Sequence, residues 1–170
     1  MSNSSVFSSL KDISAAYSAT LNKIPEEQFQ LTPPAGGWSY SEVYSHIFDM
    51  SILSLKEVEN CIKGDGKVKA TAFIVKVILF FGSFPPRAKY KVPKVLLGRE
   101  RKISKIAAAD FIKRFLEQLH LVYSQLHLAD PLIKTRHPRL GYLNAEQWFR
   151  FIEIHLKHHL KQLKRIEKSF

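Results

Sequence analysis

The sequence predicts an all-α protein, an up-down-down-up four-helix bundle with a long crossover connection and an extra helical insertion. Three observations carry this. Four segments repeat apolar residues at three- and four-residue steps. No segment of comparable length alternates with period two. The stretch from Lys63 to Lys105 is far longer than a turn between neighbouring helices, so it reads as a crossover or lid that carries one short helix of its own.

In the first helix, expected over Ser4 to Lys23, Phe7, Leu10, Ile13, Tyr17, Leu21 and Ile24 form one apolar stripe. The prolines and glycines of "IPEEQFQLTPPAGGW" then end the period and mark a connection. The second helix starts at Ser39. Its hydroxyl can accept from the third backbone N–H while Glu42 reaches back, a capping box, and Val43, His46, Ile47, Met50, Leu53 and Leu55 carry the period to about Cys61. "KGDGK" stops it. Within 63–105 the apolar run predicts a short helix near Thr71 to Phe81. The third long helix presents Phe111, Ile112, Phe115, Leu116, Leu119, Val122, Tyr123 and Leu126 and ends before Asp130 and Pro131. The fourth, about Asn144 to Glu167, opens on a second capping pair, Asn144 with Gln147.

At 170 residues, 45% of them hydrophobic, the chain is long and apolar enough for one packed domain over residues 1–170. Cys61 is the lone cysteine and cannot form an internal disulfide, and "MSNSSVFSSL" lacks the basic and apolar regions of a secretion signal; a cytoplasmic location is expected. "ATAFIVKVILFFGSF" is too short, and broken by Lys76, to span a bilayer, so membrane association is not expected. It could equally cover the bundle end or form a homodimer interface. A formal charge of +11 favours acidic partners, yet many cations sit in "RAKYKVPK", "GRERKISK" and the last helix, where a solvated basic face accounts for them. No nucleic-acid motif accompanies them.

The last helix carries "EIHLKHHLKQL", three histidines within five positions. With Ile152 at zero on a helical wheel, His159 falls at roughly −20°, His155 at roughly −60° and His158 at roughly −120°. Two imidazoles therefore face the core, one helical turn apart, able to close on one ion; the third faces away. His46 shares the core face of the second helix with Val43, Met50 and Leu53 and is the third candidate ligand. Three neutral imidazoles suit zinc, nickel or another borderline divalent ion and leave positions open for water or substrate. Spacing alone also fits hydrogen-bonded core histidines. Asp49 and Gln162 are candidate partners for the second imidazole nitrogens. His120 and His127 share a face without further recruits.

Other chemistries are excluded by what the pattern lacks. Leu156 stands where the H-E-x-x-H metalloprotease needs its glutamate, the Glu-x-x-His pairs of di-iron bundles are missing, and "AGGW" follows no strand that would make it a phosphate loop. Cys61 near a helix end is a weak candidate nucleophile.

"GGWSYSEVYSHI" and, much later, "HPRLGYLNAEQWFRFIEIHLKHHLKQL" resemble the DinB-like superfamily, closest to branches whose last helix carries H-x-x-H-H-L-x-Q. The resemblance implies an up-down-down-up bundle with a divalent ion, usually zinc or nickel, on three histidines, here His46, His155 and His159. It further implies a metal-dependent enzyme acting on a small-molecule substrate, since members with assigned chemistry include thiol-dependent S-transferases and isomerases that use a low-molecular-weight thiol; a metal-bound water, made a hydroxide by the ion, would equally suit a hydrolase. No thiol-recognition motif is identifiable; Arg87, Lys89 and Lys91 could hold the carboxylates of such a thiol or be plain surface charge. Two alternatives remain open: a non-catalytic metal- or ligand-binding bundle, and a basic module docking on nucleic acid or anionic membrane.

Overall fold

The computed structural model describes residues 2–34, 36–85 and 101–170. Arg87, Lys89, Lys91 and most of the expected basic segment lie outside the described residues. Four long helices form the bundle: α1 (Asn3–Lys23), α3 (Tyr40–Ile62), α5 (Lys105–Gln125) and α6 (Ala145–Glu167), with a one-turn α2 (Glu26–Phe29) and a short α4 (Phe73–Phe81) between them.

Each long helix starts on a side chain that satisfies backbone N–H groups otherwise left without a helical partner. Ser2 accepts from Ser5 N at the head of α1, and Ser104 from Ala107 N at the head of α5. Both predicted capping boxes form: Ser39 with Glu42 opens α3, and Asn144 with Gln147 opens α6. α4 ends at Gly82, whose left-handed φ of 64° lets its N–H return to Ile78 O at 2.9 Å.

Helix directions follow from which ends touch. Asn3 Nδ2 donates to Glu146 Oε1 and Tyr17 Oη to Leu156 O, so α1 and α6 run together. Ser41 at the head of α3 bonds Ile103 just before α5, and Phe48 meets Phe115 further along, so α3 and α5 run together as well. Phe7 near the start of α1 stacks on Tyr123 near the end of α5 at 4.0 Å, which sets the two pairs antiparallel. The order is up-down-down-up. α3 and α6 pack on each other, and Tyr17, Tyr44, Phe48, Phe115 and Phe149 fill the interior without exposure.

Two small features add to the predicted helices. α2 lies in the predicted connection and buries Phe29 completely, one aromatic ring anchoring the turn. A three-stranded antiparallel sheet, in the order β1 (Lys67–Val68), β2 (Ile133–His137) and β3 (Gly141–Leu143), lies beside the bundle. β2 and β3 pair as Thr135 with Leu143, Arg136 with Tyr142 and His137 with Gly141, around the three-residue turn 138–140. Gly141 takes a φ of 85°, the left-handed position such a turn needs. Among the described residues no helix is long and apolar enough to cross a membrane.

Candidate metal centre

α6 delivers two imidazoles and α3 one to a single point. One ring nitrogen from each of His46, His155 and His159 lies within 4.8 Å of the others. His155 Nε2 and His159 Nε2 are 3.1 Å apart. His46 and His159 are each 8% exposed, and His155 is partly open.

Side chains around the three fix their orientation. Gln162, one turn on from His159, places Oε1 2.8 Å from His159 Nδ1, where it accepts that nitrogen's proton and leaves Nε2 as a lone pair aimed at the cluster. Trp38 lies over the group, its ring 4.8 Å from His46 and nearly parallel to His159 at 6.2 Å. Phe151 stacks on His155 at 5.5 Å.

Burial removes hydration and disfavours the imidazolium, and each neighbouring ring would repel a second charge. The pKa of His155 is accordingly pushed well below 6.5, by burial first and then by His159 and His46. That of His159 falls to about 3, by burial and then His46. Both rings are neutral at physiological pH, the form that ligates a metal.

The cluster is part of the wall of a cavity of about 390 Å³. Apolar surface from Trp38, Met50, Leu53, Leu140 and Phe151 makes much of the lining, and Arg136, Arg139 and Lys56 contribute cations. His137 lines it from the β2–β3 turn, its Nδ1 accepting from Arg139 N and Leu140 N, both at 3.1 Å. Burial, and then the Arg139 charge, lower its pKa to about 4.

The sequence profile of the DinB superfamily matches residues 10–163. The chain belongs to that superfamily. Among solved structures, this DinB-superfamily chain is similar to TT2238, a four-helix bundle protein. The TM-score is 0.62 at 16% identity, over 96% of this chain and 99% of that one, a likeness of fold. No curated protein matches.

In this DinB-superfamily bundle the donor set fits a divalent ion. A tetrahedral ion with bonds of roughly 2.0–2.1 Å needs ligand nitrogens about 3.3 Å apart; the His155–His159 separation of 3.1 Å is close to that edge, while the set as a whole spans 4.8 Å and draws in by a side-chain adjustment to close on an ion. Gln162 stands where an orienting partner was expected, while Asp49 lies half-buried on α3 one turn beyond His46. His158 is exposed but not remote: its ring lies 5.2 Å from those of Phe84 and His159, and it lines the edge of the cavity. His120 packs on Phe7 and His127 is exposed in a 3-10 turn, neither of them at the cavity.

Cys61 is no nucleophile in this DinB fold. Its thiol is buried, donates to Leu143 O at 3.7 Å and contacts Thr135, and burial raises its pKa. His137, Trp38, Trp148 and Arg139 were not among the expected site residues, although "GGW" and "HPRLGY" both lie within the motifs.

Proposed function

We propose that the chain is a divalent-metal-dependent enzyme that holds zinc or nickel on His46, His155 and His159 and acts on a small organic molecule in the adjoining cavity. Thiol transfer from a low-molecular-weight thiol is the reaction type it fits best. The observation that carries this reading is the convergence of three imidazoles within 4.8 Å at the wall of a largely apolar cavity.

When bound, such an ion acts as a Lewis acid and lowers the pKa of a coordinated thiol or water, so a nucleophile becomes available near neutral pH. The protein's own residues supply the rest. Gln162 holds His159 in the tautomer whose Nε2 is a lone pair. Trp38 and Phe151 cover the imidazoles and exclude bulk water, which strengthens electrostatic interactions at the reacting atoms. The depressed pKa values of His155 and His159 spare the ligands from competition with protons.

The test is elemental analysis of purified protein and of His46→Ala. Stoichiometric divalent metal is expected in the first and its loss in the second; metal retained without His46 rejects the site. The metal-loaded protein is then incubated with glutathione, bacillithiol or mycothiol and an electrophilic acceptor. Thiol consumption supports the enzyme, and metal without turnover over a broad acceptor panel supports the non-catalytic bundle.

A further inference from the structure

The last residue of β2, where the chain enters the β2–β3 turn, is a histidine that the triad does not use. His137 Nδ1 accepts two backbone N–H groups, from Arg139 and Leu140, each at 3.1 Å. A ring nitrogen that accepts carries its lone pair there, so the neutral imidazole bears its proton on Nε2. Trp148 and Phe151 hold the ring, with centroids 5.2 and 5.0 Å away. Nε2 has no hydrogen-bond partner among the described residues, His137 is half-buried, and the residue lines the cavity. The turn therefore presents a fixed N–H donor that asks its acceptor from a ligand.

Two neighbours narrow the acceptor's chemistry. Arg139, two residues on in the same turn, also lines the cavity, and its charge is felt at the His137 ring. Among the described residues cations outnumber acids in the lining, with Lys56, Arg136 and Arg139 against the carboxylate of Glu57. Phe151 touches His137 on one side and His155 on the other, so a molecule anchored at the turn lies along the wall that leads to the triad.

We propose that the β2–β3 turn is the carboxylate-recognition element of this cavity: His137 Nε2–H and the Arg139 guanidinium bind the carboxylate of a small organic acid whose apolar body lies against Trp38 and Phe151. This deepens the functional reading above and rests on its placing of the substrate in this cavity. His137 is a positioning residue in it, and the substrate class is an aryl or alkyl carboxylic acid.

Both tryptophans of the chain, Trp38 and Trp148, line the cavity, so intrinsic fluorescence reports on occupancy without background. Benzoate and its neutral counterpart benzyl alcohol are titrated into chelator-treated and zinc-loaded protein. Benzoate is expected to saturate the signal with an affinity about tenfold or more above that of benzyl alcohol. His137→Phe should erase that preference by weakening benzoate more than benzyl alcohol, Arg139→Gln should weaken it, and His137→Gln, which keeps an N–H donor, should restore part of it. Should His137→Phe disturb the turn, the nitrogen-attached proton of His137 in the wild type is followed by NMR instead; it is expected on Nε2 and should shift on benzoate addition. Equal affinity for the two probes, a proton on Nδ1, or an Nε2–H signal unmoved at saturating benzoate would overturn the proposal. Zinc uptake without a benzoate preference overturns this proposal alone; benzoate bound at His137 by protein that takes up no zinc overturns the metal reading alone.

Discussion

His155 and His159 stand one helical turn apart with their Nε2 atoms 3.1 Å from each other, close to the spacing of two lone pairs that share one cation. Gln162 Oε1 claims the Nδ1 proton of His159, which leaves the Nε2 of that ring as a lone pair for the ion. Gln162→Leu removes the acceptor that sets this arrangement. It is expected to weaken zinc binding by about 10- to 100-fold, the usual effect of losing an orienting partner, with the fold retained. Competition against a chromophoric chelator measures it, and an unchanged affinity would remove Gln162 from the site.

A ligand that binds the folded chain and not the unfolded one stabilises it by mass action. At about a hundred times its Kd, zinc should add about 2.7 kcal/mol. For a chain of this size that corresponds to a rise in Tm of roughly 5–10 °C. The rise should vanish with chelator and in His155→Ala. Thermal unfolding followed by circular dichroism checks this, and an equal rise in the variant would place the ion elsewhere.

Both helix starts that frame the site were legible because their signals are local. Ser39 with Glu42, and Asn144 with Gln147, close their capping boxes within four residues, and the i, i+4 spacing fixes His155 and His159 on one face of α6. His46 was legible through its place in the apolar stripe of α3. The sheet was not, since strands of 2, 5 and 3 residues are too short to show a period. His137 escaped for a different reason: its tautomer is set by two backbone N–H groups in a turn, and its approach to Phe151 exists only once the hairpin has packed on α6. Trp38 follows two glycines in a connection, where no helical face says which way a ring will point.

His137 also gives the fold a signed pH dependence. Its pKa is about 4 when folded, below the 6.5 of a free imidazole. As pH falls through 6.5 the unfolded chain takes up a proton that the folded chain refuses. The contribution is therefore complete above pH 6.5 and is lost progressively between 6.5 and about 4. One such group contributes a slope of up to about 1.4 kcal/mol per pH unit. His159 adds a slope of the same sign. Urea unfolding of chelator-treated protein between about pH 7 and 5 should show a shallower slope in His137→Gln than in the wild type. An identical slope would mean that the ring titrates normally in the folded chain.

Glu153 supplies the opposite sign from the same helix. Its side chain is fully buried, held by Arg150 and by Lys157 Nζ at 2.6 Å, and Tyr17 Oη bonds Leu156 O nearby. Burial raises its pKa, but the hydrogen bond from Lys157 and the Arg150 charge outweigh it, so the folded carboxyl titrates below its ordinary value of 4.5. Its stabilisation is present above pH 4.5 and is lost as pH falls through the lower folded pKa. Removing one member of a buried ion pair strands the charges left behind. Lys157 is 44% exposed and can turn to water when its partner goes, so Glu153→Ala should cost about 1–3 kcal/mol, less than the loss of a fully buried pair. Arg150→Met in that background should recover part of the loss, because it withdraws a largely buried cation that no longer faces the carboxylate. Denaturant unfolding of the single and double variants measures both effects. A loss under about 1 kcal/mol in Glu153→Ala would show that the carboxylate is hydrated in solution and does not brace the helix that carries His155 and His159.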